Sequence, residues 1–101
     1  MKRIKSIIEN NKGIEFVVIT HNKEEFETLR DILVELDYEY AIPLAPLYEM
    51  MNNIVEDDGY NIGWRISESR GIAYNESIEH WKQYYSDILE INRNGELVFI
   101  E

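Results

Sequence analysis

The stretch EFVVITHNKEEFETLRDILVEL, residues 15–36, decides the fold class. Its first part, Glu15–Thr20, is short, rich in β-branched residues and nearly continuous in apolar character, the pattern of a buried strand. Its second part sets Phe26, Leu29, Ile32, Leu33 and Leu36 on one helical stripe. Asn22 is placed to cap this helix, with Glu25 three residues later completing a capping box. Glu24, Glu25 and Glu27 occupy the first turn, where the helix dipole favours negative charge. The spacing predicts a helix from about Lys23 to Leu36.

Toward the N-terminus, Ile4, Ile7 and Ile8 give Met1–Asn11 helical spacing, ended by Asn10-Asn11-Lys12-Gly13. Toward the C-terminus, Tyr38–Ile42 (YEYAI) reads as a short strand, and Pro43 and Pro46 mark a bend. Pro46 also suits the first turn of a helix carrying Leu47, Met50, Met51, Ile54 and Val55, which Asp57-Asp58-Gly59 ends. From Tyr60 to Ser67 the chain alternates: Tyr60, Ile62, Trp64 and Ile66 share one face, and Asn61, Gly63, Arg65 and Ser67 the other, a half-buried strand. Glu68-Ser69-Arg70-Gly71 turns it into a partner at Ile72–Tyr74, so a hairpin is expected over Gly59–Tyr74 with Trp64 beneath a helix. Asn75 or Ser77 caps a helix that carries Ile78, Trp81 and Tyr85 inward. Asn92-Arg93-Asn94-Gly95 between Ile88–Ile91 and Leu97–Ile100 signals a second hairpin. No repeat or linker interrupts the chain, so residues 1–101 read as a single domain. The expected class is α+β, a small and mainly antiparallel sheet with helices packed on one face.

This order of elements resembles that of small accessory proteins of phages and mobile elements of Gram-positive bacteria. The residues that carry the resemblance are EFVVITHNKEEF, LDYEY, GYNIGWRI, IAYNESIEHWKQYY and ILEI, roughly Glu15 to Ile91. The resemblance is one of element order and transfers no functional residue. It implies an accessory gene of a class that often encodes small inhibitors of host defence, anti-CRISPR proteins among them.

Charge separates the function classes further. The 101 residues hold 20 Asp and Glu against 10 Lys and Arg, a net charge of −10. Such a field opposes direct binding of nucleic acid, which rests on cations neutralising phosphates, and opposes an anionic membrane face. It suits a basic protein partner. Hydrophobic residues make up 45% of the chain, enough for a core, and Cys is absent, which excludes disulfides and thiolate metal sites. No apolar run approaches the ~18 residues of a membrane span. Met1–Asn11 is charged but has no apolar core, so it does not read as a signal peptide, and a cytoplasmic protein is expected.

The residues that could carry chemistry fall short of a catalytic set. His21 and His80 stand far apart, no paired-histidine motif exists, and Glu56-Asp57-Asp58-Gly59 lacks the first carboxylate of a calcium loop, since Ile54 stands there. Neither a metal nor a cofactor is therefore expected. Ser6, Ser67, Ser69, Ser77 and Ser86 lie in cap, turn or surface contexts, none in a nucleophile elbow. His21 is the best base, but Thr20-His21-Asn22 reads more simply as a strand-to-helix turn with its cap. The expectation is a protein without catalytic residues, not an enzyme.

Binding surfaces remain. Glu24, Glu27, Asp31 and Glu35 are spaced 3, 4 and 4 and fall within about 80° of arc, opposite the apolar stripe. Four carboxylates in line resemble a stretch of phosphate backbone, and an ordinary solvated helix face has the same pattern. Of the aromatic residues, Trp64, Trp81 and Tyr85 read as core, and Tyr38, Tyr40 and Tyr84 as interface positions. Three functional readings follow. The first is a phage-type inhibitor that occupies a basic nucleic-acid cleft on a defence protein. The second is an oligomeric sponge for a small nucleotide signal, which needs Arg65, Arg70 or Lys82 to meet Tyr or Trp faces. The third is a structural or regulatory accessory protein.

Overall fold

In the computed structural model, which describes residues 2–100, β1 (Phe16–Thr20) is the central strand of a five-stranded sheet. All five of its residues are buried, as their unbroken apolar run requires. β1 pairs antiparallel with β2 (Ile62–Ile66), which pairs antiparallel with β3 (Ala73–Asn75). On its other side β1 runs parallel to β4 (Ile88–Ile91), and β4 pairs antiparallel with β5 (Leu97–Phe99). The spatial order is β3-β2-β1-β4-β5. The fold is α+β with a mixed, mostly antiparallel sheet. Both hairpins stand where the turn residues placed them, and Gly71 and Gly95 take positive φ there (84° and 74°).

Alternation along the strands sorts the core into two layers. Phe16, Val18, Ile62, Trp64, Ile66, Leu89, Ile91 and Leu97 face α1 (Lys2–Asn10), α2 (Lys23–Glu35) and α3 (Leu47–Asp58). Ile4 and Ile8 of α1, Phe26, Leu29 and Leu33 of α2, and Leu47 and Met51 of α3 complete this layer. Trp64 lies at its centre, fully buried, with Phe26 and Tyr74 against its ring at centroid distances of 5.9 and 6.1 Å. Its indole N–H donates to Thr20 Oγ1 at 3.0 Å, and that hydroxyl donates to the Tyr60 carbonyl at 2.8 Å. A polar threonine ends the apolar strand because the tryptophan needs an acceptor.

The helices are not confined to one face. Val17, Ile19 and Ile88 point the other way, and α4 (Ile78–Lys82) covers them with Trp81. β2 is consequently buried on both faces, not half-buried. Gly63 makes this docking possible: a Cβ there would stand 2.6 Å from Trp81 Cδ1, and the Trp81 indole N–H donates to the Gly63 carbonyl at 2.9 Å. One further difference concerns local structure. YEYAI forms no strand; only Tyr40 bridges to Ile72, in parallel sense, because the residues before Pro43 find no continuous partner. Of the two candidate caps of α4, Ser77 is the one used, and the Asn75 side chain accepts from the Ser77 N–H. Among the described residues, no helix is long and apolar enough to cross a membrane.

Candidate functional site

The strand-to-helix turn at His21 is built as a cap. Asn22 Oδ1 accepts from the Glu25 N–H at 2.9 Å, and Glu25 Oε1 accepts from the His21 N–H at 3.0 Å. The reciprocal bond of the capping box thus reaches one residue further back than Asn22. The His21 ring lies between two carboxylates, with Nδ1 2.9 Å from Glu25 and Nε2 3.4 Å from Glu90. This arrangement ties α2 to β4 and offers the ring no nucleophile. Among the described residues, no three His, Asp or Glu side chains converge as a metal set.

Two surfaces carry more. On the helical side, the Phe26 and Tyr60 rings lie 5.7 Å apart, while Arg30 Nη1 donates to Asn52 Oδ1 at 2.8 Å. The start of α2 therefore lies beside the end of α3, and the two helices run antiparallel. The first turn of α2, with Glu24 and Glu27, and the last turn of α3, with Glu56-Asp57-Asp58, therefore share one end of the helix pair, an acidic pole that also holds Lys23. α2 carries five carboxylates and α3 four; their cations are Lys23 and Arg30. Arg30 is buried, stacked 4.3 Å from the Tyr48 ring centroid and paired with Asp31 at 2.9 Å. Among the described residues, no cationic nitrogen lies within 4 Å of Glu24, Glu27, Glu56, Asp57, Asp58 or Glu76. Asp58 holds the Glu76 carboxyl above the ordinary glutamate range, by hydrogen bonding and then by its charge. Of the four ridge carboxylates, Asp31 is paired with Arg30 and Glu35 with Lys5 (2.8 Å), while Glu24 and Glu27 have no cationic nitrogen within 4 Å among the described residues.

On the other side of the sheet, the turn after β2 and the segment after α4 enclose a cleft of about 540 Å³. Strand alternation brings Glu15, Arg65 and Ser67 to this face. The Glu15 carboxylate accepts from Ser67 Oγ at 2.8 Å and Tyr85 Oη at 2.8 Å and pairs with Arg70 at 3.3 Å. The Ser67 hydroxyl, above all, holds Glu15 below the ordinary carboxylate range, with Tyr85 and the two arginines adding to it against the cost of burial. Burial, then the bond to Glu15, raises Tyr85. Arg65 is only 7% exposed; its Nη2 donates to the carbonyls of Arg70 and Gly71 (3.3 and 3.2 Å), and its Nε has no hydrogen-bond partner. A buried donor left unmade costs about 1–3 kcal/mol.

Arg65 and Arg70 thus meet Trp81, Tyr84 and Tyr85 in one cleft, with His80 at its edge. Lys82 does not join them; it is exposed, 3.5 Å from Glu79. Of the expected interface aromatics, Tyr84 is exposed at 67% and Tyr40 half-buried, but Tyr38 is a core residue at 8%, packed beneath the end of α2. Ser67 is buried and caps the turn after β2, its Oγ accepting from the Arg70 N–H at 3.0 Å. Glu15 and the Tyr85 hydroxyl were not read as site residues. The one signal for Glu15 is parity, since it shares a face with Val17, and only the register of β1 on β2 turns that into proximity to Ser67 and Arg65. Compared with models of protein families, with curated proteins and with solved structures, the chain matches none.

Proposed function

We propose that this chain is a non-catalytic binding domain whose acidic pole docks into a basic cleft of a protein partner, one that otherwise holds nucleic acid. The observation that carries the reading is that two separate acidic runs, Glu24/Glu27 and Glu56–Asp58, share one end of the helix pair with no cationic nitrogen within 4 Å of them among the described residues. Carboxylates in the last turn of α3 also oppose the helix dipole, which weakens the helix by a few tenths of a kcal/mol or more. Charges placed against local stability suit a surface whose compensation comes from outside. The resemblance to phage accessory proteins makes a nucleic-acid-handling defence protein the first class of partner to try.

The test replaces Glu24, Glu27 and Glu56 by Gln and Asp57 by Asn. Gln ranks with Glu in helix propensity, so the fold should hold. Proteins captured from bacterial lysate on the immobilised parent should be basic and released by added duplex DNA or RNA. The quadruple variant should lose them, chiefly through slower association. A variant made at the paired positions, Asp31→Asn with Glu35→Gln, should lose less. Equal capture by the parent and the quadruple variant would remove the pole from consideration.

A further inference from the structure

The cleft on the α4 side of the sheet has features that packing alone does not require. Arg65 is a buried cation that cannot be deprotonated, and its Nε has no hydrogen-bond partner. The nearest fixed anion, Glu15, is already engaged by Ser67, Tyr85 and Arg70. Two guanidinium groups therefore share one carboxylate, leaving an excess positive charge in a protein of net charge −10. Arg70 holds Glu15 through one contact at 3.3 Å while its side chain stands 60% exposed, so most of its donors are open. Beside it the exposed Tyr84 ring lies 5.4 Å from that of His80, which lies 4.9 Å from Trp81. A planar group can rest on this aromatic edge while an anion reaches the arginines.

We propose that this cleft binds a small aromatic heterocycle carrying one phosphate group, a nucleoside monophosphate in chemical class. The phosphate engages Arg70 and Arg65, and the ring lies against Tyr84 and His80. A phosphate offers three acceptor oxygens to two guanidinium forks, which suits the pair better than a carboxylate does. The cleft volume, about 540 Å³, falls within the range of small-ligand sites. Glu15 fixes Arg70 and the Tyr85 hydroxyl, and its charge sets a limit: further phosphates meet both this carboxylate and the negative field of the whole chain. The site accordingly prefers a monophosphate to a triphosphate.

The test is a calorimetric or NMR titration of the full chain with AMP, with adenosine, inorganic phosphate and ATP as companions. AMP should bind, and each companion should bind about tenfold more weakly or worse, a difference of about 1.4 kcal/mol. Tyr84→Ala alters an exposed side chain and should keep the parent's melting temperature, Arg70→Gln gives up the contact with Glu15 and should lower it slightly, and each should weaken AMP about tenfold. Arg65→Lys, which keeps the charge but loses the fork, should also weaken it. The pole variant with Glu24, Glu27, Glu56 and Asp57 neutralised should bind AMP at least as tightly as the parent does, since it alters no residue of the cleft and only reduces the negative field of the chain. No AMP binding at about 10 mM, a concentration that reports even a Kd near 1 mM, would overturn the proposal. Equal binding of adenosine and AMP, or an unchanged affinity in both Arg70→Gln and Tyr84→Ala, would overturn it as well.

Discussion

Glu15 shows how much a single side chain can organise. It stands one residue before the apolar run of β1, yet it collects Ser67, Arg70 and Tyr85 from the turn after β2 and the segment after α4. These partners hold its carboxyl below the ordinary glutamate range. The pH dependence follows from that direction. The stability Glu15 contributes is complete above its unfolded value, near pH ~4.3, and is lost as pH falls through the lower folded value. The parent's melting temperature should therefore drop more steeply below about pH 4.3 than that of Glu15→Gln, which keeps an acceptor oxygen and does not titrate. Parallel curves would mean that the Ser67 and Tyr85 bonds do not distinguish the carboxylate from its acid. The pairing of Glu15 with Ser67 and Arg70 was not legible in the sequence, because it joins residues more than 50 positions apart.

At the scale of elements, periodicity did most of the work. The stripe of α2 and the alternation of β2 each specify a buried face, and Trp64 and Phe26 sit where those faces meet. Trp64→Ala should cost about 3–5 kcal/mol, the range for removing a buried large aromatic. It also strands the Thr20 hydroxyl without its indole donor. A chemical-denaturation midpoint unchanged by this substitution would contradict the packing described. The less legible element is α4. Five residues give too short a stripe to say which side of the sheet it covers. Gly63 was the only hint, since a glycine within an alternating strand often marks a close approach from another element.

For the whole molecule the governing quantity is charge. Its longest dimension is 33 Å, and at ~0.01 M salt the Debye length is about 30 Å, so nearly every carboxylate repels every other. The melting temperature of the parent should rise as NaCl goes from ~0.01 to ~0.3 M, where screening shortens this reach to well under ~10 Å. The rise should be smaller when Glu24, Glu27, Glu56 and Asp57 are neutralised. A parent whose melting point ignores salt would show that the acidic pole is relieved within the chain itself.

The α+β class, both hairpins, the α2 cap and the buried positions of Trp64 and Trp81 were determined by local sequence. Periodicity, capping and turn chemistry all act within a few residues, and their physics is complete at that range. The parallel pairing of β1 with β4, the placement of α4 on the second face, the joining of two acidic runs into one pole and the arginine cleft were decided by tertiary structure. Each brings together groups far apart along the chain, at a cost in loop entropy that only the collective burial of the two core layers offsets. The same distinction accounts for Tyr38: its neighbours in sequence are polar, and only the packing at the end of α2 makes it core.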